Sequence, residues 1–172
     1  MRNIFHKIAI AITVLGISSG AFALESDYSK PINVLSVEQL ADLKANKIIF
    51  SGKVVATQGT MEITADKVEI TRDENGNLKS VMAYGSPTTF KQMMENGKMI
   101  NSRSATINYE PAKSLIVITG KATVWQGESR MTGERIEYNV QTQTMRANNK
   151  TNSQGGRVSS TFVPSDFQQQ KK

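Results

Sequence analysis

The sequence predicts an all-β fold, an open antiparallel roll of about a dozen or more strands, and three observations carry that expectation. Apolar and polar residues alternate with the period of a half-buried strand; turn dipeptides recur at short, even spacing; and the chain matches itself without gaps at an offset of 68 residues.

The repeat pairs Phe50-Ser-Gly-Lys-Val-Val-Ala-Thr-Gln-Gly59 with Ile118-Thr-Gly-Lys-Ala-Thr-Val-Trp-Gln-Gly127. It continues as Ile63-Thr-Ala-Asp-Lys-Val-Glu-Ile70 against Met131-Thr-Gly-Glu-Arg-Ile-Glu-Tyr138, with apolar, acidic and basic classes kept position by position. Within a copy, Ile48, Phe50, Gly52, Val54 and Ala56 share one strand face, predicted to point inward, and Lys47, Ser51, Lys53 and Thr57 share the other. After the Gln58-Gly59 turn the apolar phase runs Met61, Ile63, Ala65 and then slips by one to Val68 and Ile70. The second copy slips in the same place, from Met131 and Gly133 to Ile136 and Tyr138. A β-bulge or corner is expected at Ala65-Asp66 and Gly133-Glu134, where one extra residue bends the strand and restores its inward face.

Turn signals stand at Gln58-Gly59, Asn75-Gly76, Gly85-Ser86-Pro87, Asn96-Gly97, Gln126-Gly127 and Gly155-Gly156, and the runs between them are rich in Val, Ile, Thr, Tyr and Phe. Only Val37, Leu40, Ala41 and Leu43 have helical spacing; the flanking runs alternate as strands, so this stretch is also read as a short strand. The glycines of Gly52-Lys53 and Gly120-Lys121 occupy equal positions in the two copies, which suits close approach of another strand or a ligand chain.

The first residues read as a targeting segment. Arg2 and Lys7 precede an apolar run from Ile8 to Ile17, and Ala21 and Ala23 flank Phe22 in an A-x-A pattern, so residues 1–23 are expected to be a cleaved signal peptide. Residues 24–164 then form one β-domain and 165–172, ending in Gln-Gln-Gln-Lys-Lys, an expected disordered tail. The chain has no cysteine, which excludes disulfides, thiol catalysis and a lipidated N-terminal Cys. An exported chain of this kind reads as periplasmic. Without Arg2 and Lys7 the 21 basic residues become 19, against 15 acidic, a net charge of +4 scattered along the strands. In that compartment nucleic acid is not the expected partner, whereas phosphorylated lipid headgroups are abundant polyanions.

Much catalytic chemistry is excluded by supply. The single histidine, His6, lies in the targeting segment, so zinc sites, Ser-His-Asp triads and Cys nucleophiles have no residues to use. The repeated carboxylates Glu69 and Glu137 are the best acid–base candidates, since two carboxylates about 5–10 Å apart cleave glycosides. Each, however, sits beside a basic residue on an alternating strand, as an exposed cross-strand charge does.

Four blocks carry a family resemblance: residues 55–72 (Val-Ala-Thr-Gln-Gly-Thr-Met-Glu-Ile-Thr-Ala-Asp-Lys-Val-Glu-Ile-Thr-Arg), residues 83–90 (Ala-Tyr-Gly-Ser-Pro-Thr-Thr-Phe), residues 109–113 (Tyr-Glu-Pro-Ala-Lys) and residues 117–120 (Val-Ile-Thr-Gly). In order and spacing, from Pro31 to Pro164, the chain resembles the OstA-like family of periplasmic lipopolysaccharide export proteins. That resemblance implies a slightly twisted, open β-jellyroll whose interior holds the acyl chains of lipid A. It implies a head-to-tail homo-oligomer, joined to an inner-membrane-anchored OstA-like partner of the LptC type and to the N-terminal domain of an outer-membrane translocon of the LptD type. It implies no cofactor, no metal and no catalysis. The inward-phase residues expected to contact lipid are Ile32, Val34, Ile48, Phe50, Val54, Met61, Ile63, Val68, Ile70, Phe90, Tyr109, Ile118, Val124, Met131 and Ile136, with Arg72 at a strand end facing a lipid phosphate. Phe90 and Tyr109 match aromatic positions of the family motifs. Pro111 departs from the apolar residue common at its place, and proline disfavours ladder pairing there.

Two other functions compete. A scaffold that caps another protein's β-edge without holding lipid needs a tightly packed interior, whereas Met61, Met93, Met94, Met99 and Met131 suit an adaptable lining. An enzyme acting on envelope glycans needs a carboxylate pair converging in a cleft.

Overall fold

The computed structural model describes residues 27–94, 96–149 and 156–167. Ten strands form one antiparallel sheet: β1 (Ile32–Leu35), β2 (Glu38–Asp42), β3 (Lys47–Gln58), β4 (Met61–Arg72), β5 (Leu78–Met93), β6 (Met99–Glu110), β7 (Leu115–Gln126), β8 (Ser129–Asn139), β9 (Thr144–Asn148) and β10 (Ser159–Thr161). Strands β3 to β8 are a simple meander. At one margin β1 and β2 both pair with β3, and at the other β9 and β10 both pair with β8.

Every long strand is broken near its middle by a register shift: Ser51/Val54 in β3, Thr64/Lys67 in β4, Tyr84/Thr88 in β5, Arg103/Thr106 in β6 and Thr119/Ala122 in β7, opposite Glu134 of β8. These irregularities line up as a crease that folds the sheet into two facing walls. The first wall holds β1, the β3 segment 54–58 and its neighbours, ending in β10. The second holds β2, the β3 segment 47–51 and its neighbours, ending in β9. Each wall is therefore eight segments wide, because six strands cross the crease and four do not. The expected dozen or more strands corresponds to these segments; hydrogen bonding joins them into ten strands.

Two devices make the crease, and both follow from the repeat. Strands β4 and β8 slip their apolar phase at Ala65-Asp66 and Gly133-Glu134, as expected. Strands β3 and β7 keep their phase by spending two consecutive left-handed residues, Gly52 (φ 79°) with Lys53 (φ 48°) and Gly120 (φ 86°) with Lys121 (φ 51°). The glycine is also required by space, since a Cβ on Gly120 lies 2.7 Å from the Ala105 Cβ, and one on Gly52 lies 2.9 Å from the Val37 Cβ. Another part of the chain, as one of the two sequence readings held, makes the close approach.

Inward faces of the two walls meet in one apolar core, in which Val68, Ala83, Ile107 and Ile136 are fully buried. Pro111 falls just past β6, in the short 3-10 helix Pro111–Lys113, where no ladder N–H is needed. The 37–44 stretch is β2 followed by a turn, as read. One expectation is corrected: Ser165–Phe167, placed in a disordered tail, belong to a 3-10 helix, Pro164–Phe167, hydrogen-bonded to the β7–β8 turn. Residues 168–172, the expected signal peptide 1–23 and the expected turn at Gly155 lie outside the described residues. Among the described residues no helix is long and apolar enough to cross a membrane.

Candidate lipid-binding lumen

The space between the walls is lined by alternate residues of every strand. All fifteen apolar residues expected to face inward do so: Phe50, Val54, Met61, Ile63, Val68, Phe90, Tyr109, Ile118, Val124 and Ile136 are buried in the core, and Ile32, Val34, Ile48, Ile70 and Met131 pack against its margin. Opposite-parity residues point out; Lys53, for example, is exposed.

The lumen is narrow inside and wider toward both margins of the sheet. Its interior retains a cavity of about 30 Å³ lined by Ile32, Ala56, Met61, Ile63, Phe90 of the first wall and Val81, Tyr109, Ile116 of the second. Here the walls touch: the Phe90 and Tyr138 rings stand 6.2 Å apart, tilted. At the β1/β2 margin a cavity of about 470 Å³ opens among Ile32, Val34, Ile48, Phe50, Ile70, Leu78 and Arg72. At the β9/β10 margin one of about 240 Å³ opens among Met94, Ile100, Val124, Met131, Met145, Phe162 and Arg130. Each mouth thus combines an apolar lining with one arginine. The Nε of Arg72 is buried without a hydrogen-bond partner among the described residues, an arrangement that favours an incoming anion.

Most polar groups inside the lumen are paired, but Ser102 Oγ on β6 is buried without a hydrogen-bond partner among the described residues. At the crease Thr88 Oγ1 donates to the Ser104 carbonyl (3.1 Å). Deeper, the buried Tyr138 hydroxyl donates to Gln92 Oε1 (3.0 Å), and Gln92 Nε2 donates to the Asp27 carboxylate (2.9 Å).

Glu69 and Glu137 are on the outer surface of the second wall, on β4 and β8 with β5, β6 and β7 between them. Four inter-strand steps place them roughly 19 Å apart along the sheet, too far for a shared glycosidic bond. Glu69 is bound by the ammonium groups of Lys67 (2.7 Å) and Lys47 (3.1 Å), and these hydrogen bonds hold its carboxyl below the usual range, the opposite of what a general acid needs. Glu137 accepts from Arg135 (2.9 Å). Among the described residues no cluster of three or more potential ligands could hold a metal ion.

Comparison with known proteins bears on the same architecture. Residues 33–144 match the family described as LptA/(LptD N-terminal domain) LPS transport protein. The chain belongs to this family. The lipopolysaccharide export system protein LptA of Escherichia coli K12 is 39% identical over 163 residues, 94% of this chain and 86% of that protein. LptA of Haemophilus influenzae is 35% identical over 99% of both chains. A crystal structure of LptH, described as the LptA homologous periplasmic component of the lipopolysaccharide transport device of Pseudomonas aeruginosa, superposes with a TM-score of 0.74 at 28% identity, covering 81% of this chain and 99% of that one. The family's open, antiparallel β fold is therefore the fold of this chain.

Several lumen residues escaped the sequence reading. Ile100, Ile107 and Ile116 are buried in the core; the first two sit on β6, whose phase slips at the crease, and Ile116 lies in the continuous apolar run 115–118, which has no phase to read. Ser102, Ser104, Thr88 and Gln92 are buried polar residues on inward parity, and a pattern that assigns polar residues outward passes over them. Asp27 carried no signal at all, because it reaches the core from 65 positions before Gln92.

Proposed function

We propose that this chain is a periplasmic carrier that holds lipopolysaccharide by the acyl chains of its lipid A and conveys it from the inner to the outer membrane. The observation that carries this reading is an apolar lumen that widens at both margins of the sheet, with an arginine at each mouth. A trough open at two ends suits a cargo that enters and leaves by different sides, whereas an enzyme or a store needs only one. Each buried methylene contributes about 0.8 kcal/mol, so partial insertion of several acyl chains outweighs any single polar contact. Arg72 and Arg130 supply the charge that a phosphorylated headgroup requires at the rim.

The family match extends the reading to partners. Copies stack head to tail, and the array runs from an inner-membrane-anchored partner of the LptC type to the N-terminal domain of a translocon of the LptD type, each junction made by pairing of edge strands. No bond is made or broken in this chain; the outward, ion-paired Glu69 and Glu137 count against glycan hydrolysis.

Site-specific photocrosslinking in growing cells tests the carrier role, with the probe at Phe50 in the wider mouth, at Phe90 in the interior and at Lys53 outside. Lipopolysaccharide adducts at Phe50 and Phe90 alone are expected. Adducts equal at all three positions, or at none, sink the carrier reading and favour a scaffold that caps β-edges.

A further inference from the structure

The first and last described stretches of the chain are fastened by the same device. In the first repeat, the carboxylate of Asp27, from the short 3-10 helix Asp27–Ser29, accepts from the Thr60 N–H (2.7 Å) and hydroxyl (2.6 Å) in the β3–β4 turn. In the second repeat, the carboxylate of Asp166 accepts from the Glu128 N–H (3.0 Å), the Ser129 N–H (2.8 Å) and the Ser129 hydroxyl (2.8 Å) in the β7–β8 turn. Gly59 and Gly127 are the matched turn residues, with φ 59° and 58°, and a Cβ on either would collide with the aspartate oxygen. The latches differ in what backs them. Asp27 is also tied through Gln92 to Tyr138 in the core. Among the described residues the strap ending in Asp166 is held otherwise by the three-residue ladder of β10, by Thr132 Oγ1 to the Ser159 carbonyl (3.4 Å), by Val163 N–H to Ser129 Oγ (2.8 Å) and by Lys98 Nζ to the Ser165 (2.9 Å) and Asp166 (2.5 Å) carbonyls, and all of β10 is exposed.

Strand direction gives that strap a consequence. Every pairing in the sheet is antiparallel, so across the eight segments of the first wall β1 and β10 run in opposite directions, and across the second wall so do β2 and β9. A second copy stacked in the same orientation therefore meets β10 with its β1, and β9 with its β2, both antiparallel. With β10 lifted away, that β1 meets β8, to which it runs parallel, and the first-wall junction is lost. The surfaces agree with this pairing. The β1/β2 margin exposes Leu35, Val37, Leu40 and Leu43 and carries Glu38 on β2; the opposite margin exposes Met145 and Phe162 and carries Arg146 on β9.

We propose that Asp166 acts as an assembly latch: by pinning the β7–β8 turn it holds β10 in place as the adaptor strand on which β1 of a second copy docks. The proposal rests on the head-to-tail reading above and names what makes one of its two edges competent. Asp166 is a positioning residue, and the interface it serves is a second copy of this chain.

Sedimentation velocity of the mature chain over a concentration series tests it. Asp166→Ala is expected to move self-association to at least about tenfold higher concentration, with far-ultraviolet circular dichroism unchanged. Because the chain has no cysteine, one engineered bridge is unambiguous: Ser159→Cys with Thr132→Cys, a directly opposed pair of β10 and β8, fastens the strap independently of the latch. In the Asp166→Ala background, oxidation of that bridge restores association and reduction abolishes it again. Asp166→Ala associating like the wild type, or a formed bridge failing to restore association, overturns the latch. Wild type that stays monomeric at every concentration overturns the head-to-tail reading and the latch with it.

Discussion

Gly120→Ala isolates the geometry of the crease from the chemistry of the lumen. Gly120 and Gly76 have nearly equal positive φ, 86° and 83°, but a Cβ on Gly120 lies 2.7 Å from the Ala105 Cβ while nothing lies within 4 Å of one on Gly76. The left-handed conformation costs alanine about 1–2 kcal/mol at either site. At Gly120 the crowding adds about 1–3 kcal/mol, because the Ala105 Cβ is fixed to the β6 backbone and cannot rotate aside. One kcal/mol lowers the melting temperature of a chain this size by about 2–4 °C, so Gly76→Ala should lose a few degrees and Gly120→Ala about 6–15 °C. Thermal unfolding followed by circular dichroism reads both. Ala105→Gly in the Gly120→Ala background removes the colliding carbon and should return part of the loss, a coupling that a double-mutant cycle measures directly. Gly120→Ala no worse than Gly76→Ala, or a double variant whose losses merely add, refutes close approach as the reason for glycine at the corner.

Three further outcomes are expected. Ile136→Ala, at a side chain with 0% exposure, should cost about 2–5 kcal/mol in urea unfolding. Tyr138→Phe removes the donor to Gln92 Oε1 and should cost about 1–3 kcal/mol for the stranded acceptor, with little change in the apolar core. Acid should destabilise the fold: hydrogen bonds from Lys67 and Lys47 hold Glu69 below its ordinary value of 4.5, Asn77 holds Asp73 below 3.8, and Ser129 holds Asp166 below 3.8. Folded-state values that are depressed mean that the unfolded chain binds more protons, so their contribution is fully present above about pH 5 and is lost as pH falls through those lowered values. A melting temperature that rises on acidification from pH 5 to 3 contradicts these assignments.

The sequence reading reached furthest where one face of a strand is buried and the phase is unbroken. Alternation located the inward set from Ile48 to Val54, and the matched phase slips at Ala65 and Gly133 located the crease before any strand was paired, because a bulge leaves a signature along the chain itself. Strand number was less legible: a bulged strand and two short strands look alike until the ladder is seen to continue across the corner. The lumen's polar contacts were not legible, since Gln92 and Ser104 look like surface residues until a partner is placed opposite them. Nor were the latches, because Asp27 and Asp166 act on turns 33 and 37 positions away, and nothing local marks an aspartate that closes so long a loop.

The narrow interior between two wider mouths sets durability against throughput. In the carrier reading, the side chains that seal the centre, Phe90 and Tyr138 among them, are the ones a hydrocarbon tail would part, so each passage would briefly surrender part of the burial that keeps the roll closed. A variant that fills the remaining 30 Å³ more completely, such as Val81→Ile, should melt higher and deliver more slowly. A hollowed one should do the reverse until it no longer folds. The sequence therefore has reason to stop short of the best packing its core could reach.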